Sequence, residues 1–162
     1  MAKCKEFRTF KERGEWVELK FMAKAAEQGL QVLKPWGDSL AYDVGLDPGL
    51  GLLRVQVKST NCFRGAGYRC RFAPGANSLR RYTAKEIDFF AAYVIPKEVW
   101  YLIPSAELFR NHQEYVTLCP TERPRHPERY RYECFREAWA LLRRGRCVNC
   151  RLMKEAGEVE DE

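Results

Sequence analysis

Three polar side chains interrupt two apolar runs that lie close together in the chain. Asp43 falls within the run 41–46, while Gln56 and Lys58 fall within the run 52–58, and a Pro-Gly turn separates the two. This pattern predicts a β-hairpin of buried strands, and residues two apart in a strand point to the same face. Because buried charge is costly unless it is paired or bound to metal, this carboxylate, amide and ammonium are suited to holding a divalent cation and a phosphate.

Composition indicates one globular domain with a positive surface. The chain has 162 residues, with 28 Lys and Arg against 22 Asp and Glu, giving a net charge of +6. Such a balance suits a polyanionic partner. No apolar stretch approaches the roughly 18 residues of a membrane span, and no apolar signal segment follows the basic start. We therefore expect a cytoplasmic protein that does not enter a membrane.

Cysteine usage also favours a reducing compartment, because seven cysteines are an odd number for a disulfide framework. Cys147 and Cys150 form a CxxC pair, which could build a zinc site with Cys134 or Cys119 and with His112 or His126. A lone CxxC is a weak signal, since structural zinc usually needs two such pairs. We therefore favour ordinary reduced cysteines at this end of the chain over zinc.

A helix is predicted over residues 9–28, before the hairpin. Its apolar stripe consists of Trp16, Leu19, Ala23 and Ala26, widened by Val17, Phe21 and Met22. The helix carries Glu15, which taken alone would be an ordinary solvated glutamate. Gly14 precedes it, and a glycine inside a helix costs about 1 kcal/mol relative to alanine. We interpret Gly14 as a point of close approach by backbone or substrate.

A second hairpin is predicted over residues 62–72, in which arginines alternate with aromatic residues and cysteines. One face of this hairpin would be apolar and the other basic. The basic face can either contact phosphates or be an ordinary solvated surface, and the pattern leaves both open. The candidate phosphate-contacting residues here and just beyond are Arg64, Arg69, Arg71, Arg80 and Arg81.

The remaining elements are predicted from apolar runs. Residues 89–95 and 99–103 are nearly continuous apolar runs and indicate central strands buried on both faces. Asp88, at the entry to the first run, is interpreted as a cap or a structural partner and not as a catalyst. Beyond them we expect a short helix from Ser105, an edge strand at 115–118, a helix with an apolar stripe from Phe135 to Leu142, and a disordered acidic end.

This order of elements resembles the PD-(D/E)xK nuclease superfamily, within it the subgroup of group I intron-encoded homing endonucleases and their bacterial relatives. The resemblance runs from Gly14 to Pro104 and is carried by Gly14-Glu15, Tyr42-Asp43, Gln56-Val57-Lys58 and the stretch from Tyr82 to Asp88. Ala41-Tyr42 replaces the family's proline before the aspartate. Gln56 replaces the usual acidic residue, as it does in the homing subgroup.

The resemblance implies an α/β fold with a restriction-endonuclease-like core, in which helices flank a mixed central β-sheet. Residues 1–110 would form this core, and residues 111–162 would form a C-terminal extension packed on it. The partner implied is double-stranded DNA, cut by a homo-oligomer, either a dimer or a tetramer, because duplex cleavage needs one site for each strand.

The implied activity is Mg²⁺-dependent hydrolysis of DNA phosphodiester bonds, with Mn²⁺ as a substitute. Asp43 would be the main metal ligand, joined by the side-chain carbonyl of Gln56 and the backbone carbonyl of Val57. Glu15 would complete the site, and Lys58 would orient the attacking water or offset charge on the phosphate. Two alternatives remain: a DNA-binding protein that has lost cleavage, and a subunit of a larger complex that docks through residues 120–150.

Overall fold

A computed structural model describes residues 7–37, 39–65, 67–73, 82–110, 114–120 and 131–144. The elements in these ranges are, in chain order, α1 (Phe10–Glu27), β1 (Gln31–Leu33), β2 (Val44–Asp47), β3 (Leu53–Thr60), β4 (Phe63–Arg64), β5 (Gly67–Arg71), β6 (Phe89–Val94), β7 (Val99–Pro104), α2 (Ser105–Phe109), β8 (Tyr115–Leu118) and α3 (Ala140–Arg143). Within these ranges, no helix combines the length and apolar character that crossing a membrane requires.

The central sheet has five strands in the order β1-β2-β3-β6-β7. β3 pairs with β6 in parallel, and the other neighbours are antiparallel, so the sheet is mixed as predicted. β2 and β3 form the predicted hairpin, with Val44 opposite Val55. β2 begins one residue after Asp43, whose N–H nevertheless donates to the Val55 carbonyl at 2.9 Å. The hairpin ladder therefore extends to the candidate site.

Helix α1 packs on one face of this sheet through one side of the predicted stripe, while the other side of the stripe is exposed. Its buried residues are Val17, Phe21 and Ala25, whereas Leu19 is 62% exposed and Ala23 and Ala26 are exposed as well. The Phe21 ring lies 5.3 Å from the ring of Trp100 and 5.7 Å from that of Trp139. This large aromatic contact selects the helix face that is buried, because it removes more apolar area from water.

The opposite face is covered by a second sheet, in the order β4-β5-β8. Tyr93, on β6, contacts Trp16 of α1, and Phe90, three residues earlier, contacts Phe72 just after β5 at 5.0 Å between centroids. Because side chains alternate along a strand, these contacts lie on opposite faces of the central sheet. Every residue of β6 is buried, and all of β7 after Val99 is buried too, as the apolar runs predicted.

The predicted helix from Phe135 to Leu142 is wrong in most of its length. A 3₁₀ turn covers Glu133–Phe135, and α3 contains only four residues. Between them Glu137 has φ of 50°, and its N–H donates to the Trp100 carbonyl at 2.8 Å. Pairing with β7 therefore overrides the helical periodicity.

The described part of the chain after residue 110 is integrated with what precedes it. β8 pairs with β5, and Tyr132, Phe135, Trp139 and Leu142 belong to the main hydrophobic core. The division at residue 110 stays a prediction. The predicted acidic end falls outside the described residues.

Candidate active site

Asp43 lies at the centre of the site, immediately before β2. Its Oδ2 accepts a hydrogen bond from the Val57 N–H at 2.8 Å and another from the side-chain amide of Gln56. The register that places Val44 opposite Val55 also places Asp43 opposite Gln56, so their side chains share a face. Gln56 is only 5% exposed. The hairpin thus brings two predicted site residues, Gln56 and Val57, into contact with the Asp43 carboxylate.

The environment of Asp43 disfavours its negative charge. Burial is the main cause, and it raises the pKa of the Asp43 carboxyl, with a smaller upward contribution from the charge of Glu18. The Val57 N–H bond and the charges of Lys58 and Lys34 lower the pKa, but they do not cancel the effect of burial. A carboxylate with this imbalance is stabilised by a further positive charge.

Lys58 is half-buried on β3, two residues beyond Gln56. Its Nζ lies 3.5 Å from the hydroxyl oxygen of Tyr82 and 5.7 Å from the centroid of the same ring. Tyr82 in turn contacts Phe90 edge to face at 5.8 Å. The sequence drew attention to Tyr82 only as part of the family resemblance. A single aromatic residue in a loop gives no sign that it will contact the lysine.

Glu15 lies on the exposed side of α1. Its side chain is 63% exposed and is 4.0 Å from Nζ of Lys11. Among the described hydrogen bonds and ion pairs, none joins Glu15 to Asp43. Its place in the metal site therefore stays a prediction, and its proximity to Asp43 is not part of the described geometry.

Glu18 is the acidic residue of α1 that is linked to Asp43, and sequence reasoning missed it. Glu18 pairs with the Lys34 ammonium, which also donates to the backbone carbonyl of Asp43 at 3.0 Å. Glu15 and Glu18 are three residues apart and therefore neighbours on the helix surface. This spacing is the signal that could have identified Glu18 as a second candidate.

Gly14 shows no sign of crowding. A Cβ built on it would meet no atom within 4 Å beyond its chain neighbours and the backbone of its own helix, so the expected close approach of another backbone segment is wrong for the described chain. Approach of a substrate at this position stays a prediction.

Asp88 is a structural partner, as the sequence suggested. Its carboxylate accepts from the Arg54 backbone N–H and Nε, both at 2.9 Å, and from Arg54 Nη2 at 3.2 Å. The Asp88 N–H donates to the Arg54 carbonyl at 2.8 Å. These bonds connect the starts of β3 and β6 and so fix the strand that carries Gln56 and Lys58.

The candidate DNA-contacting arginines divide between described and undescribed residues. Arg64 and Arg69 are exposed on the second sheet, and Arg71 is half-buried there. Arg80 and Arg81 lie outside the described residues, as do Cys147, Cys150, His112 and His126 of the possible zinc site. In the described ranges, no three His, Cys, Asp or Glu side chains cluster in a way that could hold a metal. A cation at Asp43 would therefore need neutral oxygen donors as well.

Residues 9–141 match the model of a protein family described as PD-(D/E)XK endonuclease. The chain belongs to this family. The solved structure of a bacterial homing endonuclease, I-Ssp6803I, is similar to this PD-(D/E)XK chain, with a TM-score of 0.69 and 29% sequence identity over 93% of this chain and 99% of the other. None of the curated proteins matches the chain.

Membership of the PD-(D/E)XK family and this structural likeness confirm the predicted restriction-endonuclease-like α/β fold. They also confirm the resemblance that rested on a few motif residues. The elements that position Asp43, Gln56 and Lys58 are therefore those of a nuclease family.

Proposed function

We propose that this chain is a Mg²⁺-dependent DNA endonuclease that hydrolyses phosphodiester bonds, similar to homing endonucleases. The observation that carries the proposal is the half-buried Asp43 carboxylate, held by the Val57 N–H and the Gln56 amide on the strand that bears Lys58. Family membership supports a nuclease. The likeness to a bacterial homing endonuclease supports the narrower class.

The residues around Asp43 fit a hard divalent cation. Mg²⁺ prefers oxygen ligands and keeps several waters. The Gln56 amide contacts Asp43, and the backbone carbonyl of Val57 is the further ligand that the family resemblance implies. Gln56 directs its NH₂ group at Asp43. Rotating the amide exchanges its nitrogen and oxygen and would offer the carbonyl oxygen instead. Glu15 and Glu18 are the further carboxylates that α1 can supply.

In the proposed mechanism the chain supplies orientation and charge. The bonds to Asp43 hold its carboxylate at one point, so that little reorganisation is needed when a phosphate arrives. The Lys58 ammonium, placed beside Tyr82, orients the attacking water or offsets the negative charge that develops on the phosphate. When bound, Mg²⁺ polarises the phosphate and lowers the pKa of a coordinated water.

The proposed substrate is double-stranded DNA, and the net charge of +6 suits it. We infer a homo-oligomer, a dimer or a tetramer, since two strands need two sites. We place the protein in the cytoplasm, which agrees with the free thiols of Cys62 and Cys70.

Cleavage of supercoiled plasmid in Mg²⁺ tests the proposal. Asp43→Asn and Lys58→Ala should each lower the cleavage rate by about 100-fold or more, because each removes a group that acts on the reacting phosphate. The matched controls are Asp47→Asn, in the hairpin turn, and Lys85→Ala, on an exposed turn. Wild-type cleavage by a folded Asp43→Asn protein would refute the assignment.

The second candidate function is DNA binding without cleavage. It is favoured by one observation: a neutral Gln56 stands where the family has an acid, and its amide hydrogen-bonds to Asp43. A gel shift run beside the plasmid assay distinguishes the two functions. A protein that binds DNA but does not nick it in Mg²⁺ or Mn²⁺ would support DNA binding without cleavage over the endonuclease.

A further inference from the structure

The outer face of the second sheet carries a compact group of polar and aromatic side chains. Along β5, Tyr68 and Cys70 are buried whereas Arg69 between them is exposed. Arg69 lies opposite Thr117 of β8, and Arg71 lies opposite Tyr115. Directly opposed residues of an antiparallel pair share a face. We call the four outward residues, Arg69, Arg71, Tyr115 and Thr117, the Arg–Tyr face.

The two arginines of this face share one aromatic ring. The guanidinium carbon of Arg69 lies 4.1 Å from the centroid of Tyr115, and that of Arg71 lies 5.8 Å from it. Stacking on an aromatic ring restricts a guanidinium and fixes the direction of its planar fork of donors. The Arg–Tyr face therefore presents guanidinium donors with fixed orientations and not freely moving charges.

Neither arginine has its charge neutralised within the part of the chain that the structure describes. No described carboxylate forms an ion pair with Arg69 or Arg71. Nε of Arg71 is buried and has no hydrogen-bond partner among the described residues. Buried donors in native proteins are nearly always satisfied. An anionic or acceptor-rich ligand on this face would neutralise the charges of the two arginines.

β5, which carries Arg69 and Arg71, is hydrogen-bonded directly to β3, the strand that carries Gln56 and Lys58. The Thr60 hydroxyl, two residues beyond Lys58 on β3, donates to the Arg69 carbonyl at 2.7 Å. A duplex that places a phosphate at Asp43 would thus have the β5–β8 ribbon beside it. The inner side of β5 packs on the central sheet, so only the Arg–Tyr face is free to meet the neighbouring groove.

The second sheet has three strands, and its β5–β8 pair has the dimensions of a two-stranded ribbon that fits a DNA groove. A two-stranded antiparallel ribbon fits the major groove, and arginine bonded to guanine is the commonest specific contact there. Residues rise about 3.4 Å each along such a strand, and the nucleotides of one DNA strand are spaced by about 3.4 Å. Arg69 and Arg71 would therefore reach base pairs about two steps apart.

We propose that the Arg–Tyr face enters the major groove of the DNA substrate, where Arg69 and Arg71 contact base edges and set the sequence preference of the enzyme. The proposal rests on the proposed function, since it presupposes a duplex DNA substrate. It goes beyond that function by assigning recognition to one face of the second sheet. It also separates Arg69 and Arg71 from Arg64, whose role would be general charge.

Selection from a library of randomised DNA duplexes, carried out in EDTA to prevent cleavage, tests this assignment. The variants are Arg69→Lys and Arg71→Lys, which keep the charge but lose the bidentate fork. In each variant the affinity ratio between the preferred base pair and the others should fall by about 10-fold at one or two positions. Affinity for non-specific duplex should stay within about 2-fold, because phosphate contacts depend mainly on charge. The matched control is Arg144→Lys, an exposed arginine on the last helical turn.

Three results would overturn the inference. One is unchanged base preference in both lysine variants. Another is uniform weakening in Arg69→Ala and Arg71→Ala, with all preferences kept and a salt slope reduced by about one, since that describes phosphate contacts alone. The third is a wild-type chain that binds DNA without preference.

Failure of this inference can be distinguished from failure of the proposed function. If the wild-type protein binds DNA with base preference but does not cleave it in Mg²⁺ or Mn²⁺, the proposed endonuclease activity is refuted. The proposed recognition by the Arg–Tyr face is then still supported. If both lysine variants cleave normally and keep the wild-type base preference, only the proposed recognition by the Arg–Tyr face is refuted. A wild-type chain that neither binds nor cuts duplex DNA would overturn both.

Discussion

Asp43 makes a specific prediction about stability and pH at the scale of one residue. Burial raises its pKa above the ordinary 3.8, so the folded protein holds the proton more tightly than the unfolded chain does. The contribution of Asp43 to stability must then fall as pH rises through the interval above 3.8, and the cost persists at neutral pH. Asp43→Asn should therefore raise the melting temperature of the metal-free protein at pH 7.

Thermal unfolding in EDTA at pH 7 and at about pH 3 measures this effect, and the gain should disappear at the lower pH because Asp43 is then protonated in both states. Asp47→Asn serves as the control, since its side chain can still accept the Gly49 N–H bond of the turn. A gain of equal size at both pH values, or a loss at pH 7, would contradict the account of the Asp43 charge.

Tyr82 is expected to act as a positioning residue for Lys58. Tyr82→Phe removes the hydroxyl that lies 3.5 Å from the ammonium but keeps the ring, so we expect kcat to fall by about 3- to 10-fold with KM little changed. Tyr82→Leu removes the ring as well and should lower kcat further. Steady-state cleavage kinetics separate kcat from KM. Two folded variants with wild-type kcat would show that Tyr82 does not position Lys58.

Residue identity and alternation made part of the site predictable. Asp43, Gln56 and Lys58 could be identified because a hairpin with period-two alternation fixes which side chains share a face. Lys34 could not be identified in the same way, and Glu18 could be identified only as a neighbour of Glu15 on the helix surface. Their link to Asp43 depends on how α1 and the loop after β1 lie against the hairpin, and no local pattern encodes that arrangement.

At the scale of elements, the pairing of Arg54 with Asp88 aligns β3 with β6. Asp88→Ala would leave the half-buried Arg54 guanidinium and its backbone N–H without these acceptors, at a cost of about 2–3 kcal/mol in the free energy of unfolding. Asp88→Asn keeps an acceptor oxygen and should cost less. Urea unfolding measures both variants, and an Asp88→Ala protein as stable as wild type would contradict the structural role.

Sequence periodicity failed where tertiary contacts chose between alternatives. Helix α1 has two overlapping apolar stripes, and the packing of Phe21 against Trp100 and Trp139 selects one of them. The segment before α3 has a helical pattern, yet the Trp100 N–H donates at 2.6 Å to the carboxylate of Glu137. Both outcomes depend on contacts with β7. Because β7 is distant in the sequence from α1, no local pattern predicts these contacts.

At the scale of the whole molecule, the site lies where three layers meet. α1 covers one face of the central sheet, and the second sheet covers the other, as the contacts of Tyr93 and Phe90 show. The α/β class was predicted through the family resemblance, and the apolar runs and the one long helix agree with it. The second sheet was only half predictable, since β8 joins β5 across more than 40 residues. That long-range pairing creates the Arg–Tyr face.

Anomalous diffraction from crystals soaked in Mn²⁺ is the most direct test of the central claim, that the hairpin around Asp43 holds a catalytic divalent cation. We predict one strong peak within about 2.0–2.3 Å of an Asp43 carboxylate oxygen, with the Val57 carbonyl or the Gln56 side-chain oxygen as a second ligand. The peak should be absent from Asp43→Asn crystals. Crystals of wild-type protein with no manganese at Asp43, or with manganese bound only elsewhere, would contradict the claim.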